Sequence, residues 1–162
     1  FSNMEATQDM ADNLQEMLDY QKSGNNLQLL NLIDKDVAVA GNQIGVSAEN
    51  RGRGEFVLDD SAAACKVNIY DEGGNPVKSL DKGHLDPGRH DVGWDGTDAR
   101  GEEVPTGEYH YEVKANDAKG NSLETDTYGI GRVTGVDFNG DNQELTIDKH
   151  VTTSADKINK VL

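Results

Sequence analysis

The sequence predicts a mainly β protein, an antiparallel sandwich of short strands preceded by one helix. Three observations carry this. From Glu55 onward, short runs alternating apolar and polar residues are broken by Gly, Pro, Asn and Asp about every 10–15 residues. Residues 1–22 hold neither Gly nor Pro and repeat apolar residues at helical spacing. The single tryptophan, Trp94, ends an alternating run, as a plug between two sheets would.

The helix is read over residues 1–22, with Met4, Met10, Leu14, Met17 and Leu18 along one side. Ser2 followed by Glu5 fits a capping box, and "KSGNN" supplies a stop at Gly24. A narrow, Met-rich stripe packs on a partner, another copy included, more readily than it fills a large core; folding back on its own body is the other choice. Leu27–Ile33 reads as a short helix leading into Val37–Val39. Two short strands follow around Gly41-Asn42, and Arg51–Gly54 is a linker. "EFVLDD" is a strand. "CKVNIYDEGGNPVKSL" is a hairpin with Cys65, Val67 and Ile69 on one face and a turn at Gly73-Gly74-Asn75. His90, Val92 and Trp94 alternate after the Pro87-Gly88 turn. Tyr109, Tyr111, Val113 and Ala115 share one face of the next strand, and Ala118–Asn121 turns the chain. Gly129-Ile130-Gly131 falls between strands. The tail gives a hairpin turning at Asn139–Asn142 and a last edge strand with Ile158 and Val161 inward. No exact internal repeat is visible.

In "VGWDGTDARGEEVPTGEYHYEV", Asp95-Gly96 directly after Trp94 is a turn signal, because Asp bonds the backbone ahead and Gly tolerates positive φ. A polar excursion and the Pro105/Gly107 turn then lead to Tyr109. The stretch reads as scaffold rather than as a ligand site on Trp94.

Composition narrows the function classes. Hydrophobic residues make up 35% of the 162, which suits thin sheets and exposed segments better than a large enzyme core. Thirty acidic residues against 15 basic give a net charge of −15, which repels nucleic acid and anionic membranes. Cys65 is the sole cysteine, so an internal disulfide and a CxxC metal site are excluded; it reads as a buried thiol. No run approaches the ~18 apolar residues of a membrane span. The chain opens at Phe1, directly in a helical pattern, which suggests a fragment of a longer protein.

Catalytic and metal chemistry find no support. Asp137–Asp148 imitates a calcium loop but has Asn142 at the sixth place and ends in Asp. The acids Asp95, Asp98 and Glu102 could at most collect a weak cation. His84, His90, His110 and His150 lack zinc-ligand spacing. Nucleophile motifs and phosphate-cradling glycine loops are missing. The expectation is no catalytic, cofactor-binding or metal-ligating residue.

"GRHDVGWDGTDARGEEVPTGEYHYEVKANDAKGN" resembles the signature segment of the flagellar hook-capping family, FlgD. Gly88, His90, Val92, Trp94-Asp95-Gly96, Asp98, Gly101, Val104-Pro105, Gly107 and Tyr109 fit its pattern. "LLNLIDKDVAV" resembles the family's entry segment, with Asp34 where Gly is common, and "YGIGRVTGVDFNGDNQELTI" resembles its return segment. The resemblance covers roughly residues 27–162. It implies a fibronectin-III-like or immunoglobulin-like sandwich (51–128) inserted into a small tudor-like β-barrel (25–50 and 129–162), after a helix (1–24). The sequence accommodates this, since the two flanking pieces hold strands that cannot close alone. The implied function is a non-enzymatic scaffold, a ring-like homo-oligomer at the distal end of the growing hook, outside the cell. Its partners would be itself and hook protein, with Met4, Met10, Leu14, Met17 and Leu18 assigned to self-association. The alternative is an Ig-like cell-surface module that binds carbohydrate or calcium through Trp94 and Asp95–Glu103.

Overall fold

The computed structural model describes residues 2–138 and 143–162, with Ser2 given by its backbone alone. The Ser2–Glu5 capping box, the turn at Asn139–Asn142 and the middle of the calcium-like run therefore lie outside the described residues.

Helix α1 runs over Ser2–Leu30, past the expected stop at Gly24. One glycine inside a helix costs only about 1 kcal/mol, and the helix formers of "LQLL" carry the pattern onward. Leu27–Leu30 is thus the last turn of the same helix rather than a separate one. The terminator is Asp34. The chain tightens through i→i+3 bonds from Asn31, Leu32 and Ile33, and Asp34 then takes φ +69°, the left-handed conformation that favours Gly at such a position. The Asp34 N–H donates to the Val133 carbonyl (2.8 Å), which fixes the helix end to the body.

The strands after it are β1 (Asp36–Ala40), β2 (Gln43–Val46), β3 (Arg53–Leu58), β4 (Ala64–Asp71), β5 (Pro76–Asp81), β6 (Gly88–Asp91), β7 (Gly107–Asn116), β8 (Ser122–Leu123), β9 (Thr125–Asp137), β10 (Glu144–Ile147), β11 (Val151–Ser154) and β12 (Ile158–Val161). Among the described residues they form two antiparallel, curled sheets. One has the order β2-β7-β4-β5, with β8 against β7. The other follows β11-β10-β9-β1-β12, with β3 also pairing β9 and β6 pairing β3. β1 and β2 are adjacent in sequence yet lie in different sheets, so the Gly41-Asn42 turn is a crossing rather than a hairpin.

Two separate apolar cores result. The larger lies between the sheets and contains Ile44, Val46, Phe56, Leu58, Cys65, Val67, Ile69, Val92, Trp94, Tyr109, Tyr111 and Ala115. The period-2 alternation of β4 and β7 puts these residues inside and their polar neighbours out. The smaller is built from Val37, Val39, Val133, Leu145, Ile147 and Val151. β9 belongs to both: its first half pairs β3, its middle pairs β1 and its second half pairs β10. Gly129-Ile130-Gly131 therefore lies inside a strand, not between strands. The tail also differs from expectation. A 3-10 turn at Ala155–Lys157 interrupts it, Ile158 packs on the small core, and Val161 is 48% exposed. Among the described residues β12 is an edge strand, paired to β1 on one side.

Candidate functional site

Trp94 is buried, at 6% exposure. Its indole Nε1–H donates to the Thr97 carbonyl (2.8 Å), and its ring meets Tyr109 edge-on with centroids 5.3 Å apart. The sequence dictates both contacts. Asp95 makes the turn that returns Thr97 beneath the indole: its Oδ1 accepts from the Thr97 hydroxyl (2.6 Å) and N–H (3.0 Å), and from Lys78 Nζ (3.4 Å). These bonds, the Thr97 hydroxyl first, hold the Asp95 carboxyl below its ordinary value. The Gly96 carbonyl accepts from Val104 N–H (3.0 Å) and Arg51 Nη2 (3.1 Å). Tyr109 donates its hydroxyl to the Pro105 carbonyl four residues upstream (2.7 Å), a tyrosine corner that explains the Pro105–Gly107–Tyr109 spacing. Gly107 opens β7 opposite Val46. Tyr111 stitches the sheets together. Its hydroxyl sits 2.8 Å from the carbonyls of Glu55 and Tyr128 and accepts the Tyr128 N–H (3.0 Å), and burial pushes the phenol up.

The acidic loops are spent on their own turns. Asp98 Oδ1 accepts the N–H groups of Arg100 (2.9 Å) and Glu102 (3.0 Å). Asp71 and Asp117 do the same for Asn75 (2.8 Å) and Asn121 (2.8 Å). The three loops, "DEGGN", "DARGE" and "DAKGN", are one five-residue device, an Asp whose side chain caps the turn and a glycine three residues on at φ +83° to +85°. That spacing is a repeat the sequence displayed and the turn-by-turn reading missed. Among the described residues no group of three or more His, Cys, Asp or Glu side chains is placed to hold a metal. With the Trp94 indole inside and one oxygen each of Asp95 and Asp98 bonded within their own turns, this end offers neither a stacking platform nor a calcium loop pattern.

A second polar site had no signal in the sequence. Where β9 passes from one core to the other, Asp148 and Asn50 are both buried. Asn50 Nδ2 donates to Asp148 Oδ2 (2.5 Å) and to the Ile130 carbonyl (3.2 Å), while its Oδ1 accepts from Arg53 Nε (3.1 Å). Asp148 Oδ1 accepts the Arg132 N–H (3.1 Å). Arg53 and Arg132 then share Asp36, at 3.2 and 3.6 Å. Burial raises the Asp148 carboxyl, against the pull of the hydrogen bonds from Arg132 and Asn50. The fit depends on bare backbone, since a Cβ on Gly129 would fall 2.1 Å from the Gln43 carbonyl and one on Gly131 2.2 Å from Asp148 Oδ2.

The assigned self-association residues stand apart from both sites. Met4, Met10, Leu14, Met17 and Leu18 are 51–76% exposed, and none packs on either core. Helical geometry sets Met10, Leu14, Met17 and Leu18 on one side and Glu5, Asp9, Asp12, Glu16 and Asp19, spaced 4-3-4-3, on the other. Near its end the helix touches the body, where Gln143 Nε2 donates to Asn26 Oδ1.

An Ig-like sandwich, a smaller β unit sharing one of its strands and a projecting helix define a structural β-module class, with Trp94 and the tyrosine corner as its core signature. The family model of the FlgD Ig-like domain matches residues 41–128, more than half of the chain. This chain belongs to the FlgD family. It is 28% identical over 144 residues to the basal-body rod modification protein FlgD of Escherichia coli K12, covering 85% of this chain and 62% of that protein. The FlgD of Salmonella typhimurium gives 29% with the same coverage. The chain thus spans less than two thirds of the length of these curated relatives. Among solved structures, FlgD from Xanthomonas campestris superposes with a TM-score of 0.69 at 26% identity, covering 84% of this chain and 98% of that one. FlgD from P. aeruginosa shares the fold with a TM-score of 0.68 at 24% identity, covering 81% and 98%.

Proposed function

We propose that this chain is the scaffold part of a hook-capping protein, working by shape and contact without making or breaking bonds. The observation that carries it is the uncovered apolar stripe of α1 on a packed β body, in a member of the FlgD family. The Xanthomonas structure is described in terms of hook capping essential for flagellar assembly, and the same role is the best reading here. The chain divides by function into the helix (1–24), a small tudor-like barrel made from both flanks (25–50 and 129–162) and a fibronectin-III-like sandwich (51–128). β2 lends its side chains to the sandwich core. The helices hold copies together in a ring at the distal tip of the growing hook, outside the cell, and the β modules meet successive hook subunits. A second copy is the occupant of the stripe because charge is segregated: the carboxylate line opposite points away when two apolar faces meet. Each Met or Leu fully buried there contributes roughly 1.5–3 kcal/mol, enough over a few residues for a reversible contact.

The test is motility in a flagellated bacterium lacking its own cap protein, complemented with full-length protein carrying Met10, Leu14 and Met17 changed to Asp. Loss of hooks, with the variant still folded and exported, is expected. Normal hooks would remove the helix from the assembly role.

A further inference from the structure

The two apolar cores do not merge; between them lies the polar cluster around Asp148. A single strand, β9, runs through both, and at the crossing its Gly129 and Gly131 let the strand approach Gln43 and Asp148 closely. The other connection is the Gly41-Asn42 crossing from β1 to β2. We propose that the buried Asp148–Asn50 pair is the latch that sets the angle between the sandwich and the small module, so that the two move as one body only while the pair is intact.

Each end of the latch is rooted in a different module. Asp148 lies in the turn between β10 and β11, where its N–H donates to the Arg132 carbonyl (2.8 Å) and Lys149 N–H donates to Thr134 Oγ1 (2.9 Å), so the small module holds it on two sides. Asn50 closes a turn with Ser47, whose N–H donates to the Asn50 carbonyl (2.6 Å), directly before β3 enters the sandwich. The Asn50 amide is fully used: both of its Nδ2 bonds go to the small-module side, to Asp148 and to β9, and its Oδ1 takes Arg53 at the start of β3. A rotation of one module against the other breaks both Nδ2 bonds at once and leaves Asp148 Oδ2 and the Asn50 N–H groups buried without those partners, which is what makes the pair directional. The turn geometry alone does not require the carboxylate. Lys149 holds a left-handed φ of +67° next to it with no acid.

The measurement is residual dipolar couplings on the whole chain, fitted separately for sandwich strands β4 and β7 and for small-module strands β10 and β11. In the wild type one alignment tensor is expected to fit both sets. In Asp148→Ala the shared tensor is lost, the small module aligning more weakly than the sandwich. Asn50→Ala gives the same loss while keeping the Asp148–Arg132 bond, and it decides the matter if Asp148→Ala does not fold. Leu145→Ala, a cavity in the small core away from the pair, serves as the control and keeps one tensor despite its lower stability. A single tensor in both latch variants overturns the proposal. So does a loss in Leu145→Ala as large as in the latch variants, since loosening would then be general.

Discussion

Replacing Trp94 by Ala tests the claim on which the scaffold reading stands. The indole is 6% exposed, so nearly its whole surface leaves a cavity. Large-to-small changes of this kind cost about 3–5 kcal/mol. That total includes the edge contact with Tyr109, worth ~0.5–1.5 kcal/mol. It also includes the Thr97 carbonyl left without its donor, about 1 kcal/mol. Against a typical domain stability of about 5–15 kcal/mol the variant is severely weakened. At roughly 2–4 °C per kcal/mol for a chain of this size, the midpoint falls by ~6–20 °C. The assay is urea unfolding followed by far-UV circular dichroism, because the substitution removes the only indole fluorophore. Trp94→Phe separates the contributions: it keeps most of the ring packing, loses the N–H, and should cost about 1–2 kcal/mol. A cost below ~1 kcal/mol for Trp94→Ala, with an unchanged denaturant slope, would mean the side chain is not core and would return this loop to the list of binding sites.

Two further outcomes follow from close contacts and charge. Gly129→Ala sets a methyl against the Gln43 backbone carbonyl, which cannot swing aside, and should cost about 3 kcal/mol in thermal unfolding, the upper end of the usual overpacking range. Gly135→Ala on the same strand meets only Thr146 at 3.6 Å and should stay within about 1 kcal/mol of wild type; equal losses at the two positions would refute the close-approach account. Asp95 is held below the ordinary carboxylate range, so its stabilisation is present above that range and is lost as pH falls through its lower folded value. Melts of wild type and Asp95→Asn should therefore differ at neutral pH and converge on acidification below the ordinary carboxylate range, whereas a gap that persists unchanged would show that the carboxylate charge is not what the turn uses.

What was legible in the sequence was what repeats locally. The alternation of Cys65, Val67 and Ile69, and of Tyr109, Tyr111 and Ala115, put those residues in the larger core, because a strand has a period of two and one face must be dry. Trp94 could be placed for the same reason. The helix end was misread because Gly24-Asn25-Asn26 looks like punctuation, whereas Asp34 ends the element through a tertiary bond to Val133. Ile158 and Val161 are both expected inward in the last edge strand; Ile158 packs on the small core, whereas Val161, at the end of the edge strand β12, is 48% exposed. The Asn50–Asp148 pair gave no warning at all. Its members are 98 residues apart, each looks like an ordinary turn residue, and only the folding of β9 brings them together.

β9 has a consequence for anyone who would take the molecule apart. A strand of 13 residues that serves both cores offers no cleavage point between them. Excising the larger half strips the smaller one of its central rung, and the reverse cut leaves β3 without a neighbour on that side. Mechanical load passing from one half to the other along this strand is taken in shear, distributed over the ladders on its two flanks, and the Gly41-Asn42 crossing gives the chain a second path.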